Sequence, residues 1–147
     1  MTRVFSRNAP FARQETVARA RVVLADDHRG VAMLLRGILD QEFEVVATVE
    51  DGIALVAVAR RLAPDVIVSD ISMPGLDGIA AAAQLLRDDP QRRVVLVTSD
   101  YAADTARRAV EIGVLGFVTK PTAVQALVPA VRAALAGKRY GFNADAG

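Results

Sequence analysis

There is no cysteine in this chain of 147 residues, which excludes disulfides, thiolate nucleophiles and cysteine-ligated metal centres. Histidine occurs once, at His28, which argues against a histidine metal cluster or a Ser-His-Asp triad. Long apolar runs are missing too. The longest, Ile53–Ala59 and Ile79–Ala83, fall far short of the roughly 18 residues a membrane span needs. No basic start is followed by the apolar segment of a secretory signal. Lysine is scarce: of 18 basic residues only Lys120 and Lys138 are not arginine. What is present is a chain of one-domain length, 52% apolar, enough to bury a core. The expectation is a single cytoplasmic α/β domain with no membrane association.

The net charge of +1 hides an asymmetry. Residues 1–21 carry five arginines against Glu15, a balance of +4, while the remainder has 13 basic and 16 acidic residues, a balance of −3. The body is therefore mildly acidic and offers no phosphate-backbone surface, so direct nucleic-acid binding is not expected. The basic leader over 1–20 reads as a flexible, solvated tail.

From residue 21 onward, short apolar runs alternate with helical patterns. Arg21–Ala25, Val45–Val49, Val66–Ser69, Val94–Thr98 and Gly116–Thr119 are near-continuous apolar runs, as strands buried on both faces require. Between them, Val31, Leu34, Leu35 and Ile38 share one helical face, and Leu55, Val58, Ala59 and Leu62 another. Two further helical patterns precede a fifth over Val124–Leu135, where Pro129 should kink the helix or delay its regular part. Asp51-Gly52 opens the second helix, Pro64 closes it and Pro90 precedes the fourth strand. The alternation predicts a (βα)5 fold, a doubly wound parallel five-stranded sheet covered on both faces. Residues 139–147 read as a C-terminal stub or the start of a linker.

The polar residues that interrupt this pattern fall at strand ends. Asp26 and Asp27 follow the first strand and Asp70 the third, while Thr98 ends the fourth and Lys120 the fifth. In an open parallel sheet those ends share one edge, where ligands bind. Each residue alone has a plain structural reading, a helix cap for the acids and a β-former for Thr98. Together they form a chemical set. Clustered carboxylates suit a hard divalent cation such as Mg²⁺, and an aspartate can accept a phosphoryl group as an acyl phosphate. Lys120 and Thr98 would meet the phosphoryl oxygens; a lysine in an arginine-rich chain suggests a need for a compact ammonium.

Four motifs now resemble the receiver domain of two-component response regulators. They are Val22-Val23-Leu24-Ala25-Asp26-Asp27-His28, Asp70-Ile71-Ser72-Met73-Pro74-Gly75-Leu76-Asp77-Gly78, Val95-Leu96-Val97-Thr98-Ser99 and Gly116-Phe117-Val118-Thr119-Lys120-Pro121. The resemblance covers residues 21–138 and implies a flavodoxin-like, CheY-like fold with strand order 2-1-3-4-5. It makes Asp70 the phosphoacceptor. It assigns Mg²⁺ to Asp26, Asp27, Asp70 and the backbone carbonyl of Ser72, phosphate binding to Lys120, and the switch pair to Thr98 and Phe117. It also implies a cis Lys120–Pro121 bond. A sensor histidine kinase or phosphotransfer protein would supply the phosphoryl group. The signal would pass through the surface of the fourth helix, fifth strand and fifth helix, where homodimerisation is common in the family. Asp100, Tyr101 and Ser72 are candidates for tuning acyl-phosphate hydrolysis, whereas His28 reads as a surface or capping residue. Such a domain phosphorylates and dephosphorylates itself and is not a turnover enzyme.

The Asp-Asp-His start and the Leu115-Gly116-Phe117 segment look most like receivers of nitrate-response and LuxR-type helix-turn-helix regulators. Transcription control through a DNA-binding domain absent from this chain is then the expected output, with a stand-alone receiver as the alternative. Two other readings fit less well. A flavin or nucleotide binder would want a glycine-rich turn where Asp26-Asp27 stands. An aspartyl-phosphate phosphatase resembling the haloacid dehalogenases would want an acid where Ser72 stands. A pseudo-receiver would lack part of the pocket.

Overall fold

The computed structural model describes residues 18–142. Its elements alternate strictly: β1 (Arg21–Ala25), α1 (Arg29–Asp40), β2 (Glu44–Val49), α2 (Gly52–Leu62), β3 (Val66–Asp70), α3 (Gly78–Asp88), β4 (Val94–Thr98), α4 (Ala103–Ile112), β5 (Gly116–Thr119) and α5 (Ala123–Leu135). The strands form one sheet in the order β2-β1-β3-β4-β5, with every neighbouring pair parallel. The predicted topology is therefore the observed one. The expected leader lies almost wholly outside the described residues.

Alternation along each strand divides the core in two. Val22 and Leu24 of β1 point with Val66, Val68, Val95 and Val97 toward Leu35, Leu39, Leu127 and Val131 of α1 and α5. Val23, Ala25, Ile67 and Leu96 point the other way, toward Leu55, Ala59, Leu85 and Ala109 of α2, α3 and α4. The period of two puts successive side chains on opposite faces, and both faces are covered. That is why the strands read as continuous apolar runs rather than as an alternation.

Two helices begin on side-chain caps. Asp51 accepts from the Ala54 N–H at 2.7 Å at the start of α2, and Asp77 accepts from the Ala80 N–H at 2.8 Å at the start of α3. Gly78, next to Asp77, has a second reason to be there. A Cβ at that position would lie 2.0 Å from the Asp70 carbonyl oxygen, and the Gly78 N–H donates to the Ile71 carbonyl at 2.7 Å. The Asp-Gly pair thus clamps the start of α3 against the end of β3.

Two local expectations change. Lys120–Thr122 forms a single 3₁₀ turn into α5, and no described peptide bond is cis, so the Lys120–Pro121 bond is trans. Pro121 falls in the first turn of that element, where a missing N–H costs no hydrogen bond, and the Ala123 N–H bonds to the Lys120 carbonyl. Pro129 does not delay α5, which runs from Ala123 through it to Leu135. Burial of Leu127, Ala130, Val131 and Ala134 against the sheet holds the helix together across the lost hydrogen bond.

Candidate functional site

The order β2-β1-β3 means that successive connections leave β1 and β3 on opposite sides, opening a crevice beyond their carboxyl ends. Asp26 and Asp27 stand just past β1, and Asp70 is the last residue of β3. Asp26 is fully buried and Asp70 is 3% exposed. Asp26 is held by its neighbours: its N–H donates to the Val49 carbonyl at 3.0 Å, and its Oδ1 accepts from the His28 N–H at 2.8 Å. At the end of β3 the Ser69 hydroxyl donates to the Asp70 carbonyl at 2.8 Å, and the Ile71 N–H reaches the Val97 carbonyl at 3.2 Å.

Lys120, carried by the turn after β5, reaches across the sheet edge. Its Nζ donates to Asp70 Oδ2 at 3.2 Å and lies 3.5 Å from Asp26 Oδ2. One ammonium therefore faces two buried carboxylates. Burial, and then the Asp26 charge, push the Asp70 carboxyl above the ordinary carboxylate range, with Lys120 pulling the other way.

Two adjoining clefts open here and share His28, Ile71 and Ser72. One, of about 320 Å³, is lined by Asp70, Thr98, Ser99, Asp100, Thr105 and Lys120; the other, of about 490 Å³, by Asp27, Met73, Pro74 and Asp77. Asp70, Thr98, Lys120 and Ser72 are thus brought together, with Asp27 on the adjoining side. Phe117 is not in either lining. It is 2% exposed, with Tyr101 edge-on to its ring and Phe142 stacked on it, both at 5.5 Å between centroids. Tyr101 accordingly belongs to the surroundings of Phe117, whereas Asp100 does line the cleft.

The acidic residues fit a divalent cation. Ligand atoms of Asp26, Asp27, His28 and Asp70 all lie within 4.8 Å of one another. Asp26 Oδ2 and Asp27 Oδ1 are buried without a hydrogen-bond partner, although Lys120 Nζ is near the first and His28 Nδ1 is 3.1 Å from the second. Buried carboxylate oxygens left without a donor are costly unless a cation satisfies them. His28 is more involved than its sequence position suggests: it sits at the N-cap of α1 without a side-chain capping bond, and its ring turns to Asp26 and Asp27. Thr105 is a lining residue that no sequence signal marked. Among the described residues no helix is long and apolar enough to cross a membrane.

Comparison with known proteins gives a consistent result. The sequence profile of the response regulator receiver domain matches residues 22–132. The response regulator GacA of Pseudomonas aeruginosa is 34% identical over 124 residues, covering 82% of this chain and 57% of GacA. The chain thus spans little more than half the length of that relative. The chemotaxis protein CheY of Halobacterium salinarum is 35% identical over 101 residues, 69% of this chain and 84% of CheY. Among solved structures, a LuxR-family two-component response regulator from Aurantimonas sp. SI85-9A1 superposes with a TM-score of 0.81 at 32% identity. That match covers 88% of this chain and 94% of the other.

Proposed function

The chain belongs to the response regulator receiver family of two-component systems, and from that premise we propose that Asp70 is its phosphoacceptor. The observation that carries the reading is the set around Asp70: a buried carboxylate at the sheet's switch point, hydrogen-bonded to Lys120 and beside Asp26, opening onto a cleft. A carboxylate oxygen of Asp70 attacks phosphorus in line. The P–N bond of a phosphohistidine, or the P–O bond of a small acyl phosphate, breaks, and the leaving group departs with the electron pair. Asp26, Asp27, Asp70 and the Ser72 carbonyl would hold Mg²⁺, which when bound supplies positive charge for the carboxylates and the incoming phosphoryl oxygens. Lys120 then exchanges its carboxylate contacts for a phosphoryl oxygen, and Thr98 donates its hydroxyl to another.

The donor is a sensor histidine kinase or a phosphotransfer protein in the cytoplasm. The acyl phosphate is a signalling state that the domain forms and later hydrolyses, so the chain catalyses no multiple turnover. Inward movement of Thr98 and rearrangement of Phe117 change the face made by α4, β5 and α5, which a partner or a second copy reads. The output would be control of transcription, through a DNA-binding domain that this chain does not span.

Peptide mapping tests the assignment. After incubation with a small acyl-phosphate donor and Mg²⁺, borohydride reduction should convert Asp70, and no other aspartate, to homoserine. Conversion at Asp26, Asp27 or Asp100 instead would refute it.

A further inference from the structure

After α5 the described residues stay on the domain. Gly137, with φ +74°, and Lys138 close the helix: the Gly137 N–H bonds to the Ala134 carbonyl and the Lys138 N–H to the Ala133 carbonyl. The next four residues turn back onto β5, which is an edge strand of the sheet. Tyr140 bridges Gly116 in parallel; its N–H donates to the Leu115 carbonyl at 2.8 Å and its carbonyl accepts from the Phe117 N–H at 3.0 Å. Gly141 follows at φ +87°, so close that a Cβ would lie 1.9 Å from the Phe117 carbonyl oxygen. That turn delivers the Phe142 ring onto Phe117, stacked at 26° between planes, where it joins the core beneath α2, α3 and α4. Phe117 is therefore held by its backbone N–H, by the chain passing over its carbonyl and by a ring on its side chain.

We propose that residues 139–142 are an intramolecular strap, a self-ligand that occupies the open edge of β5 by strand addition and locks the Phe117 ring beneath Phe142. The chemistry is that of an added peptide strand, in which main-chain hydrogen bonds give attachment and an aromatic side chain gives register. The strap and any second strand on this edge exclude each other, so it restrains the α4–β5–α5 face until it is released. Reorientation of Phe117 removes the surface on which Phe142 rests, and release follows. Only this last step rests on the proposed role of Asp70; the strap itself does not.

Amide hydrogen exchange on the full chain tests it, read at Phe117 and Tyr140, with Val23 and Val68 of the central strands as controls. Phe142→Ala and Gly141→Ala should each speed exchange at Phe117 and Tyr140 by about tenfold, the order of factor expected for losing a stacked aromatic pair and its burial. The controls should not move, and Phe142→Tyr, which keeps the ring, should retain protection. Acyl phosphate with Mg²⁺ should speed the same two amides in the wild-type chain but not in Asp70→Asn. Unchanged exchange at Phe117 and Tyr140 in both opening variants would overturn the strap, as would equal acceleration of the controls. A chain that takes up phosphate yet keeps both amides protected would overturn its release. If no phosphate is taken up while the two variants still open the edge, the strap stands and the Asp70 reading falls.

Discussion

Replacing Asp70 by asparagine should stabilise the metal-free protein while removing most of its response to Mg²⁺. Asp26 is fully buried, Asp70 is nearly so, and Lys120 Nζ lies 3.5 and 3.2 Å from them. Two unit charges about 4 Å apart interact by roughly 4 kcal/mol at an effective dielectric near 20, so attraction and repulsion here are of similar size. Desolvation decides the sign, because it acts only against the charged form; it is also the largest influence on Asp70 and pushes its carboxyl upward. Asparagine keeps the shape and discards the buried charge, for an expected gain on the order of 1 kcal/mol, roughly 2–4 °C in Tm. Mg²⁺ at about 100 times its Kd should stabilise the wild-type chain by about 2.7 kcal/mol, a shift of roughly 5–10 °C. Thermal unfolding followed by circular dichroism, in chelator and in Mg²⁺, measures both. The reasoning is refuted if Asp70→Asn lowers the metal-free Tm, or if Mg²⁺ raises the Tm of both proteins equally.

The same carboxyl makes a pH prediction. A folded-state value above the unfolded one contributes stability at low pH that is lost as pH rises through it. The stability difference between Asp70→Asn and metal-free wild type should therefore shrink as pH falls from neutral into the carboxylate range, measured by denaturant titration. Lys120→Met leaves Asp26 and Asp70 facing each other without their ammonium and should cost about 3 kcal/mol in chelator; Mg²⁺ should restore part of the stability but no phosphate uptake. Gly78→Ala drives a methyl into the Asp70 carbonyl and should cost about 1–3 kcal/mol, with slower phosphate uptake because the end of β3 must shift.

Much of this was legible because its causes are local. An apolar run of five residues bounded by polar ones is a strand buried on both faces, and a parallel sheet sends every strand's carboxyl end to one edge. Asp26, Asp27, Asp70, Thr98 and Lys120 could therefore be placed together from order alone; the structure brings Asp27, Asp70, Thr98 and Lys120 to adjoining clefts, with Asp26 buried beside Lys120. Contacts made at a distance by residues of ordinary type were not legible. Nothing near Tyr140 or Phe142 says that these residues return to β5; that follows from where α5 ends and from an open strand edge beside it. His28 is a different case: its ring turns to Asp26 and Asp27, its own chain neighbours, a side-chain orientation that its capping position did not indicate. The cis bond came from resemblance alone, and the local 3₁₀ turn overrode it.

The central claim, a receiver that phosphorylates Asp70 with a divalent cation held by the neighbouring acids, is tested most directly by intact mass. The chain would be incubated with a small acyl-phosphate donor in Mg²⁺ and in chelator, beside Asp70→Asn. The account expects one added phosphate in the wild-type chain with Mg²⁺, and none in chelator or in Asp70→Asn. A phosphate that persists in Asp70→Asn, or that forms equally well in chelator, would contradict it.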